Sequence, residues 1–365
     1  MQNSHVLARD NGQSTGYDGE SVWAFDDTEL QNPSGFISNS GAVTRDLNAS
    51  QGITLTSDNP FTNTPADAAG VPSEIIPRTA AENAFTAAND PTTTGCTPSA
   101  TSNCGTVYGF WPGPVVSDPA RHRVLVFYEK LCRGAGDGSI CASGFVGHDI
   151  GTGIVALNMR THSETRLTEQ GLAQPIQSVE GPDPTMLFTP DQAWGSNAAV
   201  VVGPDLYAYG QCTSTDRCAV GRVPLAHVND LADWRYYAGA GSDGQPVWSR
   251  DPGQAVIVMD GGAAGSSVAW DPGLHAYLDI YMAGTSSVAD YELAPTPWGP
   301  WSAPQKMFTG APTSTLWDYA CFAHAELAQD GGRIQYVTYY DPQTGQQDLV
   351  KVTFSGRASQ GPVFR

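Results

Sequence analysis

Residues 6–30 read VLARDNGQSTGYDGESVWAFDDTEL, and the rest of the chain repeats the plan of this stretch. Asp18-Gly19 supplies two adjacent residues that tolerate positive φ, which is what a two-residue hairpin turn requires. A hairpin closed there predicts strands over about 5–14 and 21–27, with Tyr17 facing Glu20, Thr15 facing Val22 and Asp10 facing Asp27. Like charges directly opposed destabilise a sheet, so the Asp10/Asp27 pair is one a fold normally avoids. Two carboxyls held side by side separate their pKa values, one ionised and one protonated. The plainer reading is a pair of solvated aspartates flanking a turn.

The same shape recurs four times. WPGPVVSDPARHRVLVFYEK (111–130) turns at Asp-Pro, and WGSNAAVVVGPDLYAYGQC (194–212) turns at Gly-Pro-Asp. GSSVAWDPGLHAYLDIYMAG (265–284) turns at Asp271-Pro-Gly, and CFAHAELAQDGGRIQYVTYY (321–340) turns at Asp330-Gly-Gly. Each enters on small or polar residues and leaves on an aromatic-rich alternating strand. Further strands are expected at 35–44, 154–158 with 164–167, 218–224, 255–259, 289–293 and 347–354. Five antiparallel units predict an all-β chain folded as a five-bladed β-propeller, one catalytic domain over 1–365. A β-sandwich explains the strands but not five similar hairpins. The Asn-, Thr-, Pro- and Ala-rich run 46–107 reads as a long insertion between blades one and two, with VPSEIIP (71–77) the part expected to dock.

Composition agrees with an all-β domain: 40 Gly, 26 Pro and only 15% charged residues in 365. A net charge of −19 repels nucleic acid and anionic membranes and leaves neutral polymers such as polysaccharides as partners. No apolar run is long enough to span a bilayer. The seven cysteines fall as Cys96/Cys104, Cys132/Cys141 and Cys212/Cys218, with Cys321 left over. None forms a CxxC zinc pattern, and local disulfides in Gly/Ser/Thr-rich loops fit an exported protein, with Cys321 a buried free thiol. Met1 before polar residues reads as a start placed on a mature secreted chain, expected to be a monomer.

In a propeller the innermost strands converge at one mouth. Residues six to eight positions before each turn, or a little closer, are Asp10, Trp111, Asn197, His324, Ser266 and Ser267, joined by Asp27. Acids, an aromatic face, an amide, hydroxyls and an imidazole suit a sugar. Each also has a structural reading: Trp111 as blade packing, Asn197 as a strand cap, His324 as a satisfied interior histidine, and the serines as small residues. Glu180 and Asp318 lie in loops able to reach the same mouth, as alternative acids or, for Asp318, as a substrate contact. GxSxG, HExxH, P-loop, helix-borne GxGxxG and DxDxDG patterns are absent. The chemistry requires no cofactor or metal, and a structural ion in the central channel is compatible with it.

These residues resemble a known family. RDNGQS followed by VWAFDDT is similar to an Asp-Gly-Gly segment followed by a Trp-Leu-Phe-Gly-Asp-Thr strand. IIPRTAAENAF resembles an Ile-Pro segment, FWPGPVV a Trp-Pro blade entry, and DYACFAHAEL before IQYVTYY a last blade with His-Pro-Glu-Leu. The family is a group of bacterial propellers, first catalogued as a domain of unknown function, that includes endo-D-arabinanases acting on mycobacterial arabinan. Asp26 stands where the family prefers Gly, and Ala325 where it prefers Pro. The resemblance carries the catalytic pair onto Asp10 and Asp27, the pair the hairpin isolates, and implies D-arabinan as substrate. Asp10 as nucleophile or base and Asp27 as acid is the expected order, with the reverse open. Direct opposition puts β-carbons about 5 Å apart, which favours retention of configuration unless a bulge intervenes. An exo-acting furanosidase and a non-catalytic carbohydrate-binding propeller are the alternatives. Loops 46–107 and 131–150 are expected to decide the shape of the groove.

Overall fold

The computed structural model describes residues 3–55, 70–99, 102–134, 141–143, 147–311 and 316–355. The parts 56–69 and 100–101 of the expected insertion, and 135–140 and 144–146 of the second expected loop, lie outside them. Five antiparallel sheets follow one another along the chain as the blades of a five-bladed β-propeller. Their inner strands are Val6–Tyr17, Val107–Asp118, Ala198–Val202, Ser266–Asp271 and Tyr319–Ala323. Each lies beside the inner strand of the next blade, and the fifth returns to the first, so the ring closes.

Alternation explains the ring. In the second strand of blade 1, Val22 and Ala24 face a core shared with Phe110, Val126 and Tyr128 of blade 2. Trp23 and Phe25 face the other way, onto Leu327 and Tyr336 of blade 5. Successive strand residues point to opposite faces, so a strand apolar at both parities must be covered twice. Three further cores repeat the pattern between blades 2 and 3, 3 and 4, and 4 and 5.

Among the described residues no strand is exchanged between the first and last blades, and blade 5 is built from Tyr319–Ala323, Ile334–Asp341 and Gln346–Thr353. Side chains close the ring instead. Ser14 and Ser21 hydroxyls both donate to Glu326 Oε1 at 2.5 Å. Ser14 Oγ also lies 2.7 Å from His324 Nδ1, whose Nε2 is 2.8 Å from Thr338 Oγ1. With the serine proton on Glu326, the imidazole donates through Nδ1 and accepts from Thr338. Gln347 Nε2 donates to the carbonyls of Arg9 and Asn11 at 3.2 and 2.6 Å.

One expectation is extended and two are corrected. The expected insertion carries helix: Ala80–Ala88, capped by Thr79 and Glu82 in a reciprocal box, and the short Pro91–Thr94. Ile75 and Ile76 are fully buried, as expected for the docking segment, and both amides donate to Asn39 Oδ1. In blade 5, Asp330-Gly-Gly does not close a tight hairpin. The inner strand ends at Ala323, and two single 3₁₀ turns intervene before Ile334. Blade 1 departs from its expected register. Tyr17 faces Glu20 and Thr15 faces Val22, but Asn11 pairs with Phe25 and Arg9 with Thr28. Asp10 therefore opposes the Asp26-Asp27 step rather than Asp27 alone. Asn11 at φ +60° and Gly12 at φ +100° build this irregularity, and a Cβ at Gly12 would meet the Phe25 ring at 3.1 Å. The case for a short carboxyl separation, and hence for retention, goes with the regular ladder.

Removing Glu326 leaves two serine hydroxyls without their shared acceptor and loosens the serine that accepts from the imidazole. Glu326→Ala is expected to lower stability by about 2–4 kcal/mol, read as a drop in the urea midpoint. A midpoint equal to wild type would show that the ring does not close through this residue.

Candidate active site

Three inner strands carry a register break near one end of the ring. In blade 1 it spans Arg9–Gln13, in blade 2 it falls between Pro112 and Val115, and in blade 5 between Tyr319 and Phe322. Bulges turn side chains out of the ladder and are common beside binding sites. Over these breaks opens a cleft of about 520 Å³. Blade 1 contributes Asp10, Asn11 and Asp26, blade 2 Trp111 and Glu129, blade 3 Asn197 and the Cys212–Asp216 loop. The blade 4 entry adds Gly262–Gly265, and blade 5 adds Trp317 and Tyr319.

Polar bridges run between blades under this floor. Asn11 Nδ2 donates to the Pro112 carbonyl at 2.7 Å, and Asn197 Nδ2 to Ser266 Oγ at 3.0 Å. Ser267 Oγ accepts from the Ala323 amide at 2.8 Å, and Tyr319 donates its hydroxyl to Asp10 Oδ2 at 2.7 Å. Asn197 thus both lines the cleft and ties blade 3 to blade 4. Ser266 and Ser267 line a separate central channel of about 240 Å³ below it.

The acids are held out of water. Burial pushes the Asp10 carboxyl up to about 7, and the nearby Asp27 charge adds to this, while the Tyr319 hydroxyl and Arg133 oppose it. Asp26 is pushed well above the usual carboxylate range by burial and then by Asp10. Asp27, 7% exposed, is also raised by burial, and Arg133 offsets part of the rise. Its carboxylate accepts from the Arg133 fork at 3.2–3.4 Å. Oδ1 of Asp10 and of Asp26 are buried with no hydrogen-bond partner among the described residues. Several carboxyls crowded in a low-dielectric cleft cannot all ionise at neutral pH.

The expected residues separate into two groups. Asp10, Trp111 and Asn197 meet in the cleft, with Asp27 behind Asp10 on Arg133. His324 does not reach it. Its ring is fully buried against Trp23, centroids 4.3 Å apart, and burial lowers its pKa to about 3. The displacement follows from the longer blade 5 connection, which makes Tyr319 the mouth residue there. Glu180 is bound to Lys130 and accepts from Tyr108 at 2.6 Å, in a buried group with Glu82, Asp183 and Arg166. Glu82, Glu180 and Asp183 are close enough to hold a metal ion, but the Lys130 ammonium already binds all three. Asp318 is buried beside Ser287, whose hydroxyl accepts its amide at 2.8 Å, and is not among the cleft residues.

Sequence reasoning missed Asp26, Glu129, Tyr319 and Trp317. Glu129 faces Trp111 across the ladder, and burial followed by Asp149 pushes its carboxyl up to about 7. Counting from the Asp118–Arg123 pair along a regular ladder would set Lys130 opposite Trp111. The break after Pro112 exchanges the two. In blades 1 and 2 a glycine inside the strand, Gly12 and Gly113, was the available signal for such breaks, while the blade 5 strand YACFA carries none.

The model of a family described as "Domain of unknown function (DUF4185)" matches residues 164–348, just over half of the chain. The chain belongs to that family. The matched stretch covers blades 3 and 4 and most of blade 5, and so includes Asn197, Trp317 and Tyr319 but not the blade 1 acids. No curated protein matches the sequence. Among solved structures, a protein of unknown function from Dyadobacter fermentans aligns over 98% of this chain and 86% of its own, at 11% identity and TM-score 0.47. A GH43_1 enzyme from Xanthomonas citri complexed with xylotriose aligns over 96% and 88%, at 11% identity and TM-score 0.47. An N-acetylgalactosamine deacetylase from F. plautii, in complex with blood group B trisaccharide, aligns over 93% and 82%, at 12% identity and TM-score 0.46.

The raised acids predict a pH signature in stability. A carboxyl whose folded pKa lies above its unfolded value, about 3.9 for Asp, loses stability as pH rises from there through the folded pKa. Asp26→Asn removes that penalty. The variant is expected to melt several degrees above wild type at pH 8, with the gap closing toward pH 4. A gap independent of pH would place Asp26 outside the acid cluster.

Proposed function

We propose that the protein is a secreted glycoside hydrolase that cuts internal linkages of a furanose polymer, the D-arabinan of mycobacterial arabinogalactan or lipoarabinomannan. The observation that carries the hydrolase reading is a cluster of raised carboxyls, Asp10 and Asp26 lining an open cleft with Trp111, and Asp27 close enough for its charge to act on Asp10. Glycoside hydrolysis needs one protonated and one ionised carboxyl near the same bond. The polymer and its D configuration rest on the family resemblance. Export is supported by the disulfides Cys96–Cys104, Cys132–Cys141 and Cys212–Cys218, with Cys321 left as a buried thiol. No helix among the described residues is long and apolar enough to cross a membrane.

Asp10 and Asp27 are the proposed pair. Arg133 favours the ionised form of Asp27, while burial favours the protonated form of Asp10. This supports Asp10 as acid and Asp27 as nucleophile or base, the reverse of the expected order. One observation favours a second reading: Asp26, not Asp27, lines the cleft beside Asp10. In that reading Asp26 donates the proton and Asp10 is the ionised partner.

Reducing-end release and product chromatography on mycobacterial arabinogalactan, beside plant L-arabinan, test this with Asp10→Asn, Asp26→Asn and Asp27→Asn. An oligosaccharide ladder from the mycobacterial polymer alone is expected, lost by more than about 10²-fold in both members of the true pair. The acid variant is expected to keep activity on a nitrophenyl arabinofuranoside, whose leaving group needs no proton. Monosaccharide alone would indicate an exo enzyme, and binding without release a lectin-like propeller.

Tyr319→Phe separates the two role orders. The hydroxyl stabilises the Asp10 carboxylate, so its loss raises the Asp10 pKa further above about 7. With Asp10 as acid the alkaline limb of the pH–rate profile moves up. With Asp10 as base the acid limb moves up instead.

A further inference from the structure

The acids of blade 1 stand between two indoles. In the ring, blade 1 lies between blade 5 and blade 2. Trp111 reaches the cleft from blade 2 and Trp317 from the segment that leads into blade 5. Trp111 is partly covered, with the Arg133 guanidinium 5.1 Å from its ring centroid. Trp317 is 44% exposed and has no hydrogen-bond, ring or cation partner among the described residues. Nothing in the packing accounts for a large apolar ring held open to solvent at the edge of the cleft. Its neighbour Asp318 is buried, while Tyr319, two residues on, holds Asp10. Two residues span at most about 7 Å of chain, so Trp317 is tethered close to the reacting carboxyls.

We propose that Trp317 is the stacking platform for a sugar on the opposite side of the scissile bond from Trp111. A bound polymer then crosses from blade 2 over the blade 1 acids to blade 5, with sugars held on both sides of the cut. This inference rests on the hydrolase reading for the word "scissile" and makes Trp317 a specificity-determining residue. Aromatic rings present flat, weakly polar faces, which suit the C–H faces of sugars while their hydroxyls turn to water.

The test compares wild type, Trp317→Ala and Trp317→Phe on mycobacterial arabinogalactan, by kinetics and by affinity electrophoresis in gels containing that polymer. Trp317→Ala is expected to raise KM about tenfold, the scale of one lost aromatic contact, with kcat changing less than about twofold. Trp317→Phe is expected to recover most of the affinity. An unchanged KM and mobility in Trp317→Ala would overturn the proposal. So would equal falls in kcat and kcat/KM, or a failure of Phe to rescue. If wild type binds the polymer without cutting it, the hydrolase reading fails, but the platform is still decided by mobility. Retardation lost in Trp317→Ala and kept in Trp317→Phe supports it, and equal retardation of all three overturns it. Wild type that neither cuts nor binds overturns both.

Discussion

The ring must close, and it closes on side chains. A propeller that shares a strand between its first and last blades locks the ring with a ladder of backbone bonds. Among the described residues the sheets at the two ends of the chain stay separate, and Ser14, Ser21, Glu326 and His324 form the seam. The carboxylate of Glu326 accepts two hydroxyls in a site that burial makes unfavourable for its charge. Such a group stabilises only when all its partners are present. The apolar core of Trp23, Phe25, Leu327 and Tyr336 lies against the same seam and keeps it dry.

The seam also places the proposed chemistry. Tyr319 and Asp10 belong to the blades that meet there, so their hydrogen bond exists only in the closed ring. The register breaks in blade 1, at Asp10 itself, and in blades 2 and 5, just after Trp111 and Tyr319, then set these three residues toward one cleft. Backbone hydrogen bonds hold the strands on either side of each break, so mobile loops are not needed to position these groups. A rigid scaffold of this kind lets several acids be crowded at a cost in stability, which the neighbouring blades offset.

Blade 2 carries a second buried charged group with a different purpose. Lys130 and Arg166 bind Glu82, Glu180 and Asp183, and Glu82 belongs to the helix Ala80–Ala88. This group docks the helical part of the connection between blades 1 and 2 onto the side of blade 2. Each cation faces more than one carboxylate, and removal of either would leave three buried carboxylates against a single cation. Charged residues one position apart in the same strand thus serve opposite ends: Glu129 lines the cleft, and Lys130 anchors the helix.

The sequence by itself determined most of the strands, the hairpin turns of the first four blades and the number of blades. Those follow from local rules: positive φ at Asp-Gly and Gly-Pro-Asp turns, and side chains that alternate with a period of two. The disulfide couples and the docking of Ile75 and Ile76 were legible for the same reason, since short loops and isolated apolar runs have few alternatives. Tertiary structure alone decided which acids meet. A one-residue break at Asn11-Gly12 set Asp10 against the Asp26-Asp27 step, and another after Pro112 turned Glu129 rather than Lys130 toward Trp111. Because a shift of one residue reverses the face of every side chain beyond it, strand pattern cannot fix such a site until the breaks are located.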